Sequence, residues 1–191
     1  MAASIFTSTI ITFMVFNIII SMTPVTGSPT GYVVCPQYLT HSYGANTLIP
    51  CWLLDNGHCY CFSLYTECWS NANYMCAQGG MSLVAFETGD EDNMIKRHLI
   101  NIPELKGYAY WTSGKYNESA TEWQWFSNKK PLVFGDLLSN TEQVKDKEDV
   151  LNKCLLSNYI EEDYLSGGFA SRYCASFGYR FTCEATLMSQ S

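Results

Sequence analysis

Nine cysteines are the residues of this chain with the most evident capacity for chemistry. His58, Cys59, Cys61 and Cys68 include the residue types that bind zinc, although their spacing fits no standard zinc frame. In an exported chain the same thiols form disulfides. An odd number of cysteines leaves at least one thiol free or joined to another molecule. We therefore expect a disulfide framework rather than a metal centre, and a disulfide-linked homodimer remains open.

Carboxylates offer a second kind of chemistry. Glu161-Glu162-Asp163 is an acidic run, but a glycosidase needs two carboxylates held across a cleft at a defined separation. Neighbours in a loop do not supply that geometry, so a solvated acidic patch is the favoured interpretation. The chain also has no glycine-rich phosphate loop, serine-centred nucleophile elbow or metal-binding histidine pair. The sequence therefore predicts a protein that is not an enzyme and has no catalytic residues.

The N-terminal segment predicts the compartment. Residues from Ile5 to Ile20 are almost wholly apolar, and no charged side chain precedes Cys35. Val25 and Gly27 suit the small-residue positions of a cleavage site, so residues 1–27 are interpreted as a signal peptide. An uncleaved signal anchor is the alternative. On the first interpretation the mature chain is secreted and extracellular, with no membrane insertion after cleavage.

The charge of the chain limits its partners. The formal net charge at pH 7 is −7, and the basic residues form no extended run. Affinity for nucleic acid and for anionic membranes comes largely from basic patches. Neither is therefore an expected partner.

Short elements must position these residues. The alternation from Cys59 to Ser63 predicts a strand with Tyr60 and Phe62 on one face and the cysteines on the other. An apolar stripe that begins at Trp69 predicts a helix from Glu67 to Gln78. Each of these elements carries cysteines, so disulfides are expected to tie them together.

A second helix is predicted to begin at Thr88, where Thr88 and Glu91 form a capping-box pattern, and to end before Pro103. Residues from Ser28 to Pro50 and from Asn128 to Lys153 are interpreted as mostly irregular. The remaining predicted strands are short: Ser82–Phe86, Tyr108–Thr112, Glu122–Ser127, Leu155–Leu156, Tyr173 and Tyr179–Cys183. Two helices followed by short strands predict an α+β domain.

An ordered set of motifs gives these elements a family likeness. The motifs are Cys59-Tyr60-x-Phe62-Ser63, Trp69-x-x-Ala72-x-x-x-Cys76, Gly80-Met81-x-Leu83-Val84-x-Phe86-Glu87-Thr88, Tyr110-Trp111-Thr112-Ser113-Gly114, Trp123-x-Trp125, Pro131-Leu132, Cys154-Leu155, Cys174 and Phe181-x-Cys183-Glu184. Together they resemble the C-type lectin-like domain, especially the single-domain secreted forms of arthropods and other invertebrates. The likeness covers residues from Cys35 to Ala185.

The resemblance implies a fold and a division of the chain. The fold has two helices packed on short antiparallel sheets, with a long loop region and stabilising disulfides. Residues 28–50 would be an irregular N-terminal lead-in, residues 51–185 the C-type lectin-like domain, and residues 186–191 a C-terminal tail.

The resemblance also implies disulfide partners. Cys76 would pair with Cys183, and Cys154 with Cys174. The N-terminal cysteines match the family pattern poorly. Cys35 or Cys51 is favoured as the partner of Cys59, and a second pairing, of Cys61 with Cys68, is also considered. Trp111 would lie in the core, with Trp125 beside it.

Sugar-binding members of the family use calcium, and this chain departs from their pattern. Their ligands come from a Glu-Pro-Asn or Gln-Pro-Asp triplet in the long loop and from a Trp-Asn-Asp triplet before the fourth cysteine. Calcium needs six to eight oxygen ligands, yet this chain has Pro131-Leu132 in the loop and Phe169-Ala170-Ser171 before Cys174. We therefore expect no cofactor at the usual site.

A relocated calcium site is the alternative. Its oxygen ligands would lie in the long loop, although a solvated loop of mixed charge is the favoured interpretation. The candidate ligands are Asn140, Glu142, Asp146, Glu148 and Asp149.

The resemblance implies a non-enzymatic recognition protein that binds a glycan or a protein ligand, in the manner of innate immune recognition. The contacts would come from the loop between Asn128 and Lys153 and from the strand that leads to Cys174. Aromatic side chains there could instead pack the loop core. The candidate contact residues are Phe134, Asn140, Glu142, Tyr159, Tyr164, Phe169, Ser171 and Arg172. A calcium-dependent lectin with a degenerate or relocated site is the alternative.

One modification site is predicted. Asn117-Glu118-Ser119 is an acceptor sequence for N-glycosylation. It lies between two predicted strands, where a turn would expose it. An ordinary turn asparagine is the alternative.

Overall fold

The computed structural model describes residues 35–39, 49–132, 152–159 and 168–186. The predicted signal peptide lies outside these ranges, as do residues 187–191 of the predicted C-terminal tail and most of the long loop. Thr186, the first residue of that predicted tail, is instead the last residue of a strand. Among the helices of the described ranges, none combines the length and the apolar character needed to cross a membrane.

The described ranges contain two helices and nine strands. The helices are α1 (Trp69–Gln78) and α2 (Gly89–Asn101). The strands, in chain order, are β1 (Tyr38–Leu39), β2 (Ile49–Leu53), β3 (His58–Phe62), β4 (Ser82–Leu83), β5 (Tyr110–Asn117), β6 (Glu122–Trp125), β7 (Lys153–Tyr159), β8 (Gly168–Tyr173) and β9 (Arg180–Thr186).

The strands form one branched sheet in the order β1-β2-β3-β9-β5-β7-β8, with β4 paired to β9 and β6 paired to β5. The β5–β9 pair is parallel, and the other pairs are antiparallel. Strand β9 comes last among the described elements but lies between β3 and β5. It therefore joins the N-terminal strands to the strands of the second half.

The sheet separates two clusters of buried side chains. On β3, Cys59 and Cys61 pack in the first cluster, and Tyr60 and Phe62 in the second. The predicted alternation of this strand is therefore confirmed. Helix α1 buries Trp69, Ala72, Met75 and Cys76 against the first cluster.

The two tryptophans at the centre of the resemblance lie in different clusters. Trp111 is fully buried in the first cluster, where its ring lies 5.2 Å from the ring of Tyr179. Trp125 belongs to the second cluster and lies 5.9 Å from the ring of Phe86. The expectation that Trp125 lies beside Trp111 is wrong, because they point to opposite sides of the sheet.

Four disulfides join these elements: Cys35–Cys59, Cys51–Cys61, Cys76–Cys183 and Cys154–Cys174. The last two pairs confirm the prediction, and Cys35 is the partner of Cys59. Pairing of Cys61 with Cys68 is wrong, because Cys51 and Cys61 lie directly opposite each other on β2 and β3. Cys68 is a free, half-buried thiol at the start of α1.

Several element boundaries differ from the sequence-based expectation. Helix α1 begins at Trp69 rather than Glu67, because Glu67 instead bridges Tyr179. Residues 38–39 form β1 within the segment expected to be irregular. A Cβ atom on Gly79 would lie only 2.0 Å from Leu39 Cδ1, so this glycine allows β1 to approach the end of α1.

Strand β4 ends at Leu83 although apolar residues continue to Phe86. The backbone of Val84 forms hydrogen bonds with two strands. Its N–H donates to the Thr182 carbonyl of β9, and its carbonyl accepts from the Ser113 N–H of β5. The next N–H, from Ala85, donates to the side chain of Glu184. This turn away from the sheet brings the start of α2 close to β3 and β9.

Candidate functional site

A cluster of ionisable side chains lies where β3, β9 and the start of α2 meet. His58 Nδ1 lies 2.7 Å from Glu184 Oε1. Tyr60 donates its hydroxyl hydrogen to Glu91 Oε1, and the same hydroxyl oxygen accepts from Asn56 Nδ2 at 2.7 Å. The cluster therefore combines one imidazole, one phenol and two carboxylates.

The backbone fixes both carboxylates. Glu91 Oε2 accepts from the Glu87 N–H at 2.7 Å, and Glu184 Oε2 accepts from the Ala85 N–H at 3.2 Å. Each carboxylate thus uses one oxygen to hold the segment before α2 and turns the other toward His58 and Tyr60. One ligand atom from each of His58, Glu91 and Glu184 lies within 4.8 Å of the others.

The capping of α2 explains the position of Glu91. Thr88 Oγ1 accepts from the Glu91 N–H at 3.1 Å, as the capping box predicts. The reciprocal bond of a capping box would run to the Thr88 N–H, but Glu91 accepts from Glu87 instead. This shift by one residue leaves Glu91 buried, with 6% of its surface exposed.

Burial changes the ionisation of the cluster. Burial raises the pKa of Glu184, and the charge of Glu91 raises it further, while the Ala85 N–H and His58 oppose that rise. Burial and the hydrogen bond to Glu91 raise the pKa of Tyr60, so its hydroxyl stays protonated. Two partly desolvated carboxylates thus face a single imidazole.

Two surface hollows open onto this cluster. One, of about 470 Å³, is lined by His58 and Glu184 together with Ser82, Glu87 and Asn128 among others. The other, of about 440 Å³, is lined by His58 and Glu91 together with Asn56 and Arg97 among others. His58 lines both hollows, so the cluster is accessible from two sides.

Sequence reasoning missed this cluster because its members are far apart in the chain. His58 attracted attention only beside Cys59 and Cys61, and both of those thiols are in disulfides. Glu91 was assigned a capping role alone. The sequence held no signal for it, because the cluster depends on the register of β3 and β9, which pairs His58 with Thr186 and Tyr60 with Glu184.

The predicted ligand-contact residues are only partly described. Phe134, Asn140, Glu142 and Tyr164 lie outside the described residues, as do Asp146, Glu148 and Asp149. For Tyr159, only the backbone at the end of β7 is described.

The other predicted contacts lie on β8. Phe169 is 5% exposed, and its ring lies 5.2 Å from that of Phe86 in the second cluster. Ser171 and Arg172 are half-buried, and Arg172 donates to the Ser171 carbonyl at 2.8 Å. Of the described candidates, Ser171 and Arg172 are thus accessible, whereas Phe169 packs inward. Their role in binding stays a prediction.

The predicted glycan acceptor, Asn117, is the last residue of β5 and begins the hairpin turn to β6. Asn117 pairs with Glu122, and its Oδ1 accepts from the N–H groups of Ser119 and Ala120 at 3.0 and 3.2 Å. Ser119 is exposed. The predicted turn is confirmed, while glycosylation stays a prediction.

This chain is similar in part to a known C-type lectin domain protein, although no family model matches it. C-type lectin domain family 2 member D3 of Rattus norvegicus is 32% identical over 78 residues, which are 40% of this chain and 28% of that protein. The chain thus aligns with about a quarter of the length of this curated relative.

Two solved structures share the fold. One is a complex of SPL-1 with GlcNAc, with a TM-score of 0.54 and 19% identity over 69% of this chain and 89% of that one. The other is the Ca²⁺-independent C-type lectin SPL-2 from Saxidomus purpuratus, with a TM-score of 0.54 and 21% identity over 69% of this chain and 88% of that one. At this identity the likeness concerns the fold alone.

Proposed function

From its C-type lectin fold, we propose that this chain is a secreted, non-enzymatic recognition protein that binds a glycan or a protein ligand without the calcium site usual in sugar-binding members. The binding surface would be the long loop and strand β8. A role in innate immune recognition is the expectation that the family resemblance adds.

The observation that carries this proposal is the composition of β8. By the family resemblance, Ala170 and Ser171 would correspond to the last two residues of the Trp-Asn-Asp triplet of sugar-binding members. Ala170 is 4% exposed and pairs with Leu156, and Ser171 pairs with Leu155. A methyl group offers calcium no oxygen, and one hydroxyl falls far short of the six to eight oxygens that calcium needs.

The solved neighbours support both halves of the proposal. SPL-1 was solved with GlcNAc, and SPL-2 is described as independent of Ca²⁺. A fold of this kind therefore accommodates glycan recognition and calcium independence. A protein ligand is an equal alternative to a glycan. The residues that would select between the two kinds of ligand lie mainly in the long loop, most of which is outside the described residues.

A glycan array tests the proposal. The disulfide-intact chain would be applied in calcium and again in EDTA, and the reduced, unfolded chain would control for non-specific adhesion. We expect any specific glycan signal to survive EDTA. A signal that disappears in EDTA would contradict the proposal and would favour a calcium-dependent lectin with a relocated site. A folded chain that binds no glycan would direct the search to protein ligands.

A matched pair of aromatic variants tests the position of the surface. We expect Phe134→Ala in the long loop to weaken binding to any ligand found. Phe177→Ala is the control, because Phe177 is an aromatic residue that is 63% exposed and follows Cys174 outside the proposed surface. Equal effects of the two variants on affinity would contradict the assignment of the surface to the loop.

A further inference from the structure

We propose that Asn117 carries an N-linked glycan whose first sugars are held in a hollow of the β5–β6 hairpin, so that the glycan is a structural part of the domain. The acceptor sequence alone says only where a sugar can be attached. The hollow beside Asn117 adds a place for that sugar. The proposal rests on the export that the proposed function includes, but it is independent of the ligand that the chain binds.

The side chain of Asn117 is held in a position that leaves one hydrogen of its amide for the sugar. Its Oδ1 accepts from the N–H groups of Ser119 and Ala120 at 3.0 and 3.2 Å, and its Nδ2 donates to Gln124 Oε1 at 2.8 Å. An asparagine amide has two hydrogens, and Gln124 takes only one of them.

Glycosylation is compatible with the bond to Gln124. The transfer forms a bond between Nδ2 and C1 of the first GlcNAc and breaks the bond from C1 to the diphosphate of a lipid-linked donor. The diphosphate leaves with the electron pair, and Nδ2 loses one hydrogen as a proton. The glycosylated amide keeps its other N–H, which can still donate to Gln124 and fix the direction of the sugar.

The hollow lies along the outer face of the hairpin. It measures about 470 Å³, and its lining includes Asn117, Gln124 and Phe126. This volume is in the range of roughly 300–1,000 Å³ that is usual for small-molecule sites. The other face of the hairpin is turned inward, because Tyr116 packs against the buried ring of Trp123 at 5.9 Å.

The length of the hairpin suits the first two sugars. Asn117 pairs with Glu122, and Phe126 follows four residues later on the same face. At the rise of a strand this distance is about 14 Å, which is about the reach of two linked sugar rings. The sugars would therefore extend from Asn117 across Gln124 to Phe126.

The walls of the hollow suit a neutral sugar. Phe126 is 41% exposed, and the C–H groups of a sugar would remove part of this apolar surface from water. Lys129 Nζ lies 3.6 Å from the centroid of the Phe126 ring, and Lys115 Nζ lies 5.4 Å from that of Trp69. Within the described residues neither lysine forms an ion pair, so both can donate to sugar oxygens. Because Glu118 also lines the hollow, its walls carry both signs of charge.

Attachment makes a weak contact sufficient. A sugar that is joined to Asn117 cannot diffuse away, and its effective concentration at the hollow is therefore high. Its contacts with Gln124 and Phe126 would connect the turn of the hairpin to the strand that leads from it. We therefore expect the glycan to stabilise the folded chain.

Thermal unfolding with and without the glycan tests this role. The full chain would be fused to the signal peptide of a host protein and secreted from a eukaryotic host, so the result does not depend on residues 1–27. Mass spectrometry of the peptide that contains Asn117 measures its occupancy. We expect an occupied site and a Tm about 2–4 °C above that of Ser119→Ala, which has no acceptor sequence.

Ser119→Thr is the matched control, because threonine preserves the acceptor sequence and should preserve both the glycan and the Tm. A second control removes the effect of the substitution itself. When the natural chain and Ser119→Ala are both produced in a host without N-glycosylation, their Tm values should be equal.

A cycle of variants tests whether the sugar occupies the hollow. Phe126→Ala should lower the Tm more in the glycosylated chain than in the Ser119→Ala background, where only contacts with protein are lost. Phe177→Ala is the control, since Phe177 is exposed and is absent from the lining of the hollow, and it should have equal effects in both backgrounds. Nuclear Overhauser contacts between sugar protons and the Phe126 ring give a direct measurement.

Three results would overturn the proposal. They are an unmodified Asn117 in the folded, secreted chain, equal Tm values with and without the glycan, and an absence of Overhauser contacts between the sugar and Phe126. None of these results concerns the ligand, which the glycan array measures separately. Secretion of the chain without the host signal peptide tests the predicted export by itself.

Discussion

His98 lies between two aromatic rings, 4.9 Å from Trp52 and 5.4 Å from Phe62, and its Nε2 has no hydrogen-bond partner among the residues that the structure describes. Burial lowers the pKa of His98 below 6.5, its value in the unfolded chain. As the pH falls through 6.5, the unfolded chain therefore takes up a proton that the folded chain resists, and stability falls. The contribution of this histidine to stability is fully present above pH 6.5.

His98→Phe tests that dependence. We expect the free energy of unfolding of the natural chain to fall more steeply between pH 7.5 and 5.5 than that of the variant, because phenylalanine keeps the ring contacts but does not titrate. Urea unfolding at several pH values measures the difference. Parallel curves for the two proteins would show that His98 contributes nothing to the acid sensitivity.

Gly114 occupies a position that has room for glycine alone. A Cβ atom there would lie 2.6 Å from Leu155 Cβ, inside the β5–β7 pair. We expect Gly114→Ala to lower the free energy of unfolding by about 1–3 kcal/mol, because either strand must shift to relieve the contact. Gly89→Ala is the control, since nothing lies within 4 Å of the added atom. Denaturant unfolding of both variants compares them, and equal stabilities would contradict the close approach.

Helix α2 depends on its N-terminal cap, because Thr88 and Glu91 together fix the segment that carries the ionisable cluster. We expect Thr88→Ala to lower the free energy of unfolding by about 1 kcal/mol through loss of the bond to the Glu91 N–H. Thr88→Ser keeps a hydroxyl at this position and should retain most of the stability. If the serine variant lost as much as the alanine variant in thermal unfolding, the cap would not be the cause.

At the level of elements, the sequence predicted what local patterns encode. The stripe of Trp69, Ala72 and Cys76 identified α1, and Thr88 identified the start of α2. It missed β1 because two residues among Gly, Pro and Tyr carry no strand pattern, and the pairing of Tyr38 with Pro50 depends on a partner strand. It missed the His58–Glu184 contact for the same reason, since the register between β3 and β9 is a tertiary property.

The whole molecule is held together by bridges of unequal span. Cys76 and Cys183 are 107 residues apart, whereas Cys154 and Cys174 are 20 apart. In the chain-entropy view the bridge that closes the longer loop contributes nearly 5 kcal/mol to stability, about 1.5 kcal/mol more than the bridge that closes the shorter loop. We expect the double variant Cys76→Ala/Cys183→Ala to lose more stability than Cys154→Ala/Cys174→Ala.

Denaturant unfolding of both double variants measures that order. Cys68→Ala is the control, because Cys68 forms no bridge and its loss should have a small effect. If the shorter bridge proved the more important, the stabilisation would come from native contacts around Cys154 rather than from restriction of the unfolded chain.

The position of β9 also sets the order in which the molecule is completed during synthesis. Cys35–Cys59 and Cys51–Cys61 join partners 24 and 10 residues apart, so both bridges can close early. Cys76 must wait for Cys183, and the gap between β3 and β5 stays unfilled until the same strand emerges. Until β9 is synthesised, β3 and β5 each lack the neighbouring strand on one edge, and the Cys76 thiol lacks its partner. We therefore expect the formation of the Cys76–Cys183 bridge to be the late step of oxidative folding.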